Sequence, residues 1–443
     1  MNKKFQLNPP QILVTGFFSY ILLGAFILWL PISLESGVHI RFLDALFTST
    51  SAVTVTGLNV IDPGTTFNRF GEIVLMFLIQ VGGIGFMAFA ITIFVLLGKK
   101  IGLRQRILMQ EGSNQIHMSG VVRLALQLLK ITIGFELVGT VLLAYSWQDE
   151  LGLGEAFYQG VFHSVAAFNN AGFSLFKNNL MQDVHDPIVN FTVSSLIIIG
   201  GLGFVVLTEL WNKKFKFKVL TLHSKVTLTA NLVLIVLGTI TTFLLEYGNQ
   251  HTLGSLSFGT KWMAAYFQTV VTRTAGFNTI DIPALTQATL FIYIIYMFVG
   301  AASGSTGGGI KVTTMAVLLA SVKSMLHGKQ TTVIYKRRLP IEHIQRALSI
   351  FLLSFSVVIL SALIMDITER GNSFLSILFE VTSAFGTVGL SMGITSSLSW
   401  MGRIVIILVM FTGKLGPLTI GYAIAKRAEK DHFKYPEEKM MIG

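Results

Sequence analysis

Apolar residues run along this chain in long blocks with the polar positions gathered between them. The blocks at 11–30, 70–97, 121–147, 188–211, 226–246, 288–322, 344–368 and 400–425 each come near or exceed the roughly 20 residues that a helix needs to cross bilayer hydrocarbon. The pattern predicts an all-α membrane protein with eight transmembrane helices. Inside each successive pair of blocks lies a shorter segment, too short and too polar to cross: FTSTSAVTVTGLN (47–59), FHSVAAFNNAGFS (162–174), YFQTVVTRTAGFN (266–278) and FEVTSAFGTVGLS (379–391). One block is itself interrupted. VGAASGSTGGGIKVTT (299–314) places five glycines and a lysine within the sixth predicted span, and no comparable break is expected in the other three second spans.

The four short segments align without gaps on Gly57, Gly172, Gly276 and Gly389, at spacings of 115, 104 and 113 residues. An aromatic stands ten residues before each glycine, Leu or Phe follows it, and Asn or Ser comes next. The unit is therefore span, short helix, loop, span, repeated four times in one orientation. Its boundaries fall at 1–98, 99–212 with a basic loop at its start, 213–325 containing the interrupted span, and 326–443 with the tail. Non-helical backbone at membrane depth persists only where protein buries it or where it lines a water-filled path. Four such loops in register favour a pseudo-fourfold pore over four loops that merely pack together. A glycine admits the positive φ that inward-facing carbonyls require, and carbonyl oxygens can replace the hydration shell of an alkali cation. The negative ends of the short-helix dipoles would favour a cation over an anion. The filter assignment is Val55, Thr56, Gly57; Asn170, Ala171, Gly172; Thr274, Ala275, Gly276; and Thr387, Val388, Gly389.

Composition supports the membrane reading. Of 443 residues, 52% are hydrophobic and 12% charged, about half the charge content usual in soluble domains. The net charge of +11 is concentrated after the second, fourth and sixth blocks: Lys99, Lys100, Arg104, Arg106 and Arg123; Lys213, Lys214, Lys216, Lys218 and Lys225; Lys323, Lys329, Lys336, Arg337, Arg338 and Arg346. The positive-inside rule makes these loops cytoplasmic. Lys3 and Lys4 before the first block, and Lys426, Arg427 and Lys430 after the last, put both termini on the same side of a cell membrane. The charges flank spans without a recognition-helix pattern, so they fit attraction to anionic lipid and not nucleic-acid binding. The amphipathic segment 98–115 offers a docking face for a cytoplasmic partner. There are no cysteines, which excludes thiol chemistry, and no catalytic groups converge, so the chain is not expected to be an enzyme.

The motifs SAFNNAGFS-like, TRTAGFN and SAFGTVGLSMG around the glycines, QVGGIGF in the second block and SGSTGGGIK in the sixth together resemble the Trk/Ktr/HKT superfamily of potassium transporters, and within it the KtrB-type membrane subunit of bacterial Ktr systems. The likeness spans nearly the whole chain. It implies K+ uptake with Na+ as an activator and no organic cofactor in this chain. It also implies a homodimer in which each protomer has its own pore, assembled on a cytoplasmic nucleotide-binding ring of KtrA type. In that family the interrupted stretch is an intramembrane gate, here Gly300, Ser303, Gly304, Ser305, Thr306, Gly307, Gly308, Gly309 and Lys311, with Lys414 opposing it. The family usually has arginine at the latter place. Lysine, natural or introduced, keeps the charge but loses the planar five-donor fork.

Several residues admit more than one reading. Gly304, Gly309 and Lys311 approach a phosphate-binding GxxxxGK[ST], but Ile310 intervenes and Val312 stands where Ser or Thr is required. Lys311 either faces the pore or snorkels to the membrane surface from a kinked helix. Glu136 either pairs with a neighbouring span or lines an aqueous surface. His163 and Glu380 share one repeat position and read as stabilisers of the short helices. Arg273 reads as half of an ion pair behind its loop. The Gly82-Gly83-Ile84-Gly85 and Gly200-Gly201-Leu202-Gly203 runs fit close helix packing. Two other classes remain open: a Na+-permeating relative, and a non-transporting scaffold or receptor.

Overall fold

The computed structural model describes residues 9–85, 121–424, 436, 438, 440 and 441. The segment 98–115, the basic residues Lys99, Lys100, Arg104 and Arg106, the end of the second block and the terminal residues Lys3, Lys4, Lys426, Arg427 and Lys430 lie outside the described residues.

The described chain is helical apart from one two-residue hairpin, Val333–Ile334 paired with Arg337–Arg338. In order the helices are α1 (Pro9–Trp29), α2 (Phe42–Val53), α3 (Pro63–Thr66), α4 (Arg69–Ile84), α5 (Val121–Leu151), α6 (Leu153–Phe168), α7 (Pro187–Gly201), α8 (Phe204–Asn212), α9 (Leu222–Glu246), α10 (Phe258–Val271), α11 (Gln287–Phe298), α12 (Val312–Leu326), α13 (Ile341–Thr368), α14 (Phe374–Gly386), α15 (Trp400–Leu415) and α16 (Pro417–Ile424). Among the described residues, four helices are long and apolar enough to cross a membrane, at Pro10–Trp29, Leu126–Leu151, Leu222–Glu246 and Ile341–Thr368. Two bent pairs, α7 with α8 and α15 with α16, bring the number to six. The chain is thus a multi-pass helical membrane protein. Helix α4 reaches the edge of the described residues after 16 residues, and α11 and α12, of 12 and 15 residues, stand on either side of the interrupted stretch.

The break in the sixth block is not unique, which corrects the reading of the other second spans. Helices α7 and α8 meet at 96°, as do α15 and α16. The cause is a glycine at positive φ at each corner: Gly203 at φ 87°, ψ 138° and Gly416 at φ 84°, ψ 136°. Gly85 ends α4 in the same conformation, at φ 91°, ψ 126°. An L-residue with a Cβ resists this region, so glycine sets where each helix stops. At the corner between α15 and α16, Pro417 follows at once and starts the next helix, where its missing N–H costs nothing.

The opposite ends of the second spans are fixed by side-chain caps. Asn68, Asp186, Thr286 and Ser399 each accept backbone N–H groups from the first turn of α4, α7, α11 and α15, which satisfies donors the helix itself leaves open. In two repeats a carboxylate from the end of the preceding long helix reinforces the cap. Glu246 Oε1 accepts from Thr286 N at 2.9 Å, Thr286 Oγ1 at 2.8 Å and Thr289 Oγ1 at 2.5 Å, while its other oxygen accepts from Asn249 and Thr252, both at 2.7 Å. Glu369 receives Ser399 N at 3.0 Å and the Ser399 hydroxyl. Because Glu246 is fully buried, its removal strands several donors away from water. Glu246→Ala should lower stability by about 2–4 kcal/mol, read as a reduced Tm of the detergent-solubilised protein, with Glu246→Gln intermediate.

Candidate functional site

The four glycine loops begin alike. Helices α2, α6, α10 and α14 each end one to three residues before a residue forced to positive φ: Val55 (53°), Asn170 (58°), Thr274 (66°) and Thr387 (50°). The glycine two positions on is also at positive φ, at 88°, 67°, 67° and 90° in chain order. In three loops the residue between them donates its N–H five residues back, Thr56 to Ser51 O at 2.7 Å, Ala171 to Ala166 O at 2.8 Å and Val388 to Ser383 O at 2.8 Å. Ser51 and Ser383 then accept the glycine N–H on their hydroxyls, at 3.0 and 3.1 Å. The third loop departs from this: Arg273 N bonds Val270 O, Ala275 N bonds Val271 O, each at 3.2 Å, and Phe277 N bonds Ala275 O at 3.0 Å.

The loops close on one another in sequence order. A Cβ placed on Gly57 would lie 2.5 Å from Ala171 O, on Gly172 2.7 Å from Ala275 O, on Gly276 2.5 Å from Val388 O, and on Gly389 against Thr56 O. Each contact runs from one loop to the residue preceding the next loop's glycine, and the fourth returns to the first. The structure therefore brings the four glycines and the residues before them, Thr56, Ala171, Ala275 and Val388, into one ring of closely approaching backbone, with Val55, Asn170, Thr274 and Thr387 at positive φ one residue earlier. Second spans brace it from behind. Gly82, Gly200 and Gly413 touch the carbonyls of Val53, Phe168 and Phe385, the residues four before the ring glycines of their own repeats. Gly413-Lys414-Leu415-Gly416 is thus the third member of the Gly-x-x-Gly series begun by 82–85 and 200–203, a likeness the lysine hides.

The interrupted stretch 299–311 is ordered by bonds to three partners. It closes on itself through Gly300 N to Ile310 O at 2.8 Å and Val312 N to Ala301 O at 3.3 Å. It is stitched to the α7–α8 corner by Ala302 N to Gly201 O at 3.1 Å and Phe204 N to Gly304 O at 3.0 Å, and to α15 by Gly309 N to Gly413 O at 3.2 Å. It meets the ring directly: Gly308 N donates to Thr387 Oγ1 at 2.9 Å, Gly307 lies against Thr274, and the Asn170 amide lies 3.1 Å from the Thr306 hydroxyl and 3.2 Å from that of Thr274. Ser303 pairs with Thr313 at 3.2 Å and Ser305 donates to Ala302 O at 2.6 Å.

Both lysines turn onto this stretch. Lys311 Nζ donates to Gly307 O at 2.6 Å, and Lys414 Nζ to Thr306 O at 2.5 Å. The Lys311 ammonium therefore folds back on the loop and does not snorkel away. All predicted members of the stretch, with Lys414, form one assembly on the Thr274 and Thr387 side of the ring.

The remaining polar residues are also placed. His163 Nε2 lies 2.9 Å from Ser174 Oγ, and Glu380 accepts from Ser391 Oγ at 2.9 Å and from Thr395. These are the same two repeat positions, and in both the side chain ties the short helix to the strand leaving the ring. Glu136 accepts from Gln80 Nε2 at 3.2 Å and Asn169 Nδ2 at 3.1 Å, so it pairs with a neighbouring span. Arg273 has no ion-pair partner among the described residues, which corrects the expectation of one. It is 6% exposed and its Nε is buried without an acceptor. Sequence reasoning also missed Asp44 and Arg403, whose ion pair joins α2 to α15 and so the first repeat to the fourth; nothing in their 359-residue separation signals it.

A fold of bent and re-entrant helices around a backbone ring defines a membrane transport protein, and comparisons with known proteins agree. The family model described as TrkH, cation transport protein, matches residues 8–435. The chain is 44% identical to the Ktr system potassium uptake protein B of Bacillus subtilis (strain 168), over 100% of this chain and 98% of the relative. It is 40% identical to the Vibrio alginolyticus protein of the same name, with 98% and 95% coverage, and 38% identical to the potassium/sodium uptake protein NtpJ of Enterococcus hirae, with 99% and 98% coverage. The crystal structure of the potassium transporter TrkH from Vibrio parahaemolyticus shares the fold at a TM-score of 0.75 and 21% identity, with 96% of this chain and 87% of that one covered. The chain belongs to the TrkH family of cation transport proteins, a family of transporters and not of enzymes.

Lys414→Met should free the Thr306 carbonyl and loosen the stretch locally. Hydrogen–deuterium exchange of the purified protein is expected to speed up at 300–309 while the α9 and α13 amides stay protected.

Proposed function

We propose that this chain is the K+-conducting subunit of a Ktr-type uptake system in a bacterial cell membrane. The observation that carries the reading is the closed ring of four glycine loops with the stretch 300–311 seated against two of its threonines. Carbonyl oxygens of the loops would replace the hydration shell of K+, and no covalent chemistry is needed. The C-terminal ends of α2, α6 and α14 direct their partial negative charge at the same place, which favours a cation. In this reading the full architecture is eight crossings in four repeats, with the termini and basic loops on the cytoplasmic side.

The stretch 300–311 is the gate. It stands across the path with two ammonium groups bonded to its carbonyls, and a lysine held within the membrane must face protein or water. It meets the loops through the side chains of Thr274, Thr387 and Asn170, which are not part of the close backbone contacts between loops, so it can leave without dismantling them. A chain that moved it would act from the cytoplasmic side. The printed name of the 44% identical relative, a protein B of a Ktr system, supports a further subunit, which we take to be a KtrA-type nucleotide-binding ring beneath a homodimer of this chain, with Na+ as activator. A second reading has Na+ as a transported ion, because one relative is a potassium/sodium uptake protein; K+ and Na+ competition in one flux assay separates the two.

Two experiments test the proposal. Gly57→Ser, Gly276→Ser and Gly389→Ser each put a Cβ where a neighbouring carbonyl lies and where positive φ costs an L-residue about 1–2 kcal/mol. Each should reduce the preference for K+ over Na+ uptake by about fivefold or more, and unchanged selectivity in all three variants contradicts the filter. Deleting 304–309 should raise basal flux without the regulatory partner. Flux held at the level of the intact chain contradicts the gate.

A further inference from the structure

The register of the four loops exposes one position that breaks their electrostatic equivalence. Three residues before the ring glycines stand Thr54, Asn169, Arg273 and Gly386. Three of these carry no charge. The Thr54 hydroxyl bonds Thr50 O and Thr56 Oγ1, both at 2.7 Å, and Asn169 Nδ2 donates to Gln80 Oε1 at 2.7 Å. Arg273 instead places a permanent cation two residues beyond the end of α10, since a guanidinium does not lose its proton in proteins.

That cation is buried and unpaired. No Asp or Glu among the described residues lies within ion-pair distance of it, its Nε has no acceptor, and the ionisable group facing it is the phenol of Tyr296 on α11. An uncompensated buried charge is costly. Its place in the chain, two residues beyond α10 and three before Gly276, puts its backbone between the carbonyl end of that helix, a partial charge of about −0.5 in the last turn, and the electronegative backbone of the ring. These are the features that would otherwise stabilise a permeating cation. In loops one, two and four no full positive charge stands at this position after the helix end; in loop three Arg273 places one there. The backbone of loop three is correspondingly different, with Ala275 N bonded four residues back instead of five.

We infer that Arg273 is a specificity-determining residue that weakens cation binding in the ring, holding one of the four helix dipoles in check so that an ion admitted by the other three can leave again. The inference rests on the filter reading. Conduction needs binding strong enough to strip water and weak enough to release the ion. In surroundings of effective dielectric about 20, a full positive charge at a separation on the order of 10 Å shifts a cation's affinity by about an order of magnitude.

The test is the concentration dependence of K+ uptake by the chain with its regulatory partner in cells lacking other K+ uptake. R273Q and R273M should lower KM by about three- to fifteenfold and lower maximal rate, because release slows. R273K, which keeps the charge, should stay within about twofold of the unaltered chain. A side chain that merely propped up loop three would behave otherwise, since Lys would then fail along with Gln and KM would not fall. An unchanged or raised KM in folded R273Q or R273M overturns the inference, and so does a shift in R273K equal to theirs. If neither neutral variant folds while R273K does, the charge serves folding, and the inference is overturned as well. Measuring K+ over Na+ preference of Gly276→Ser in the same cells keeps the two claims apart: altered selectivity there with an indifferent Arg273 sinks only the charge effect, whereas unaltered selectivity in all the glycine variants sinks the filter itself.

Discussion

Four loop backbones meet so closely that a single methyl group on any of the four ring glycines would strike a neighbouring carbonyl or Cα. That close approach constrains the rest of the molecule. Each loop must arrive with two residues at positive φ, so each short helix has to stop where it does, and three of the loops lock the turn with the same five-residue N–H bond. Irregular backbone of this kind is tolerated inside a membrane only when protein surrounds it. Here the surrounding is supplied by the second spans, whose glycines at 82, 200 and 413 let helix backbone rest directly on carbonyls in the last turns of the short helices, and by the buried phenylalanines Phe47, Phe162 and Phe379 at the start of the repeat motif, with Phe267 one residue into the third.

The same economy of small residues shapes the opposite face of the ring. Glycines 203 and 416 turn two second spans by 96°, and the stretch 300–311 takes the place of such a corner in the third repeat. It bonds to Gly201 and Phe204 at one corner and to Gly413, just before the other. The third repeat therefore differs from its siblings in two places: the glycine-rich stretch 300–311 where the others have a corner, and Arg273 three residues before its ring glycine. In the proposed reading these two departures give one repeat the control of opening and of affinity, while the other three supply the common cation-binding geometry.

Much of this was legible in the chain. The gapless glycine blocks, with an aromatic ten residues upstream, were enough to find the four glycines whose loops the structure closes into one ring, because their periodicity reflects a repeated backbone requirement. The interrupted stretch stood out for the same reason, as glycines and a lysine do not belong in a plain span. The corner at Gly203 was not legible, since hydropathy continues unbroken through it and a glycine at positive φ looks in sequence like a glycine used for packing; at Gly416 the flanking Lys414 and Pro417 marked an irregularity but not a bend. Lys414 concealed the third Gly-x-x-Gly run by occupying a position that is glycine in the others. Arg273 was misjudged because a buried arginine ordinarily has a carboxylate, and only the fold shows that none reaches it among the described residues. The Asp44–Arg403 pair joins the two ends of the chain, a contact that exists only once the ring has closed.

The central claim is that the ring selects K+. Its most direct test is cation flux from the purified chain in liposomes, driven by a K+ gradient and challenged with Na+ in competition. The account predicts flux of K+, and of a K+-sized ion such as rubidium, that excess Na+ barely inhibits. Absence of cation flux from folded protein, or equal competition by Na+, would contradict it.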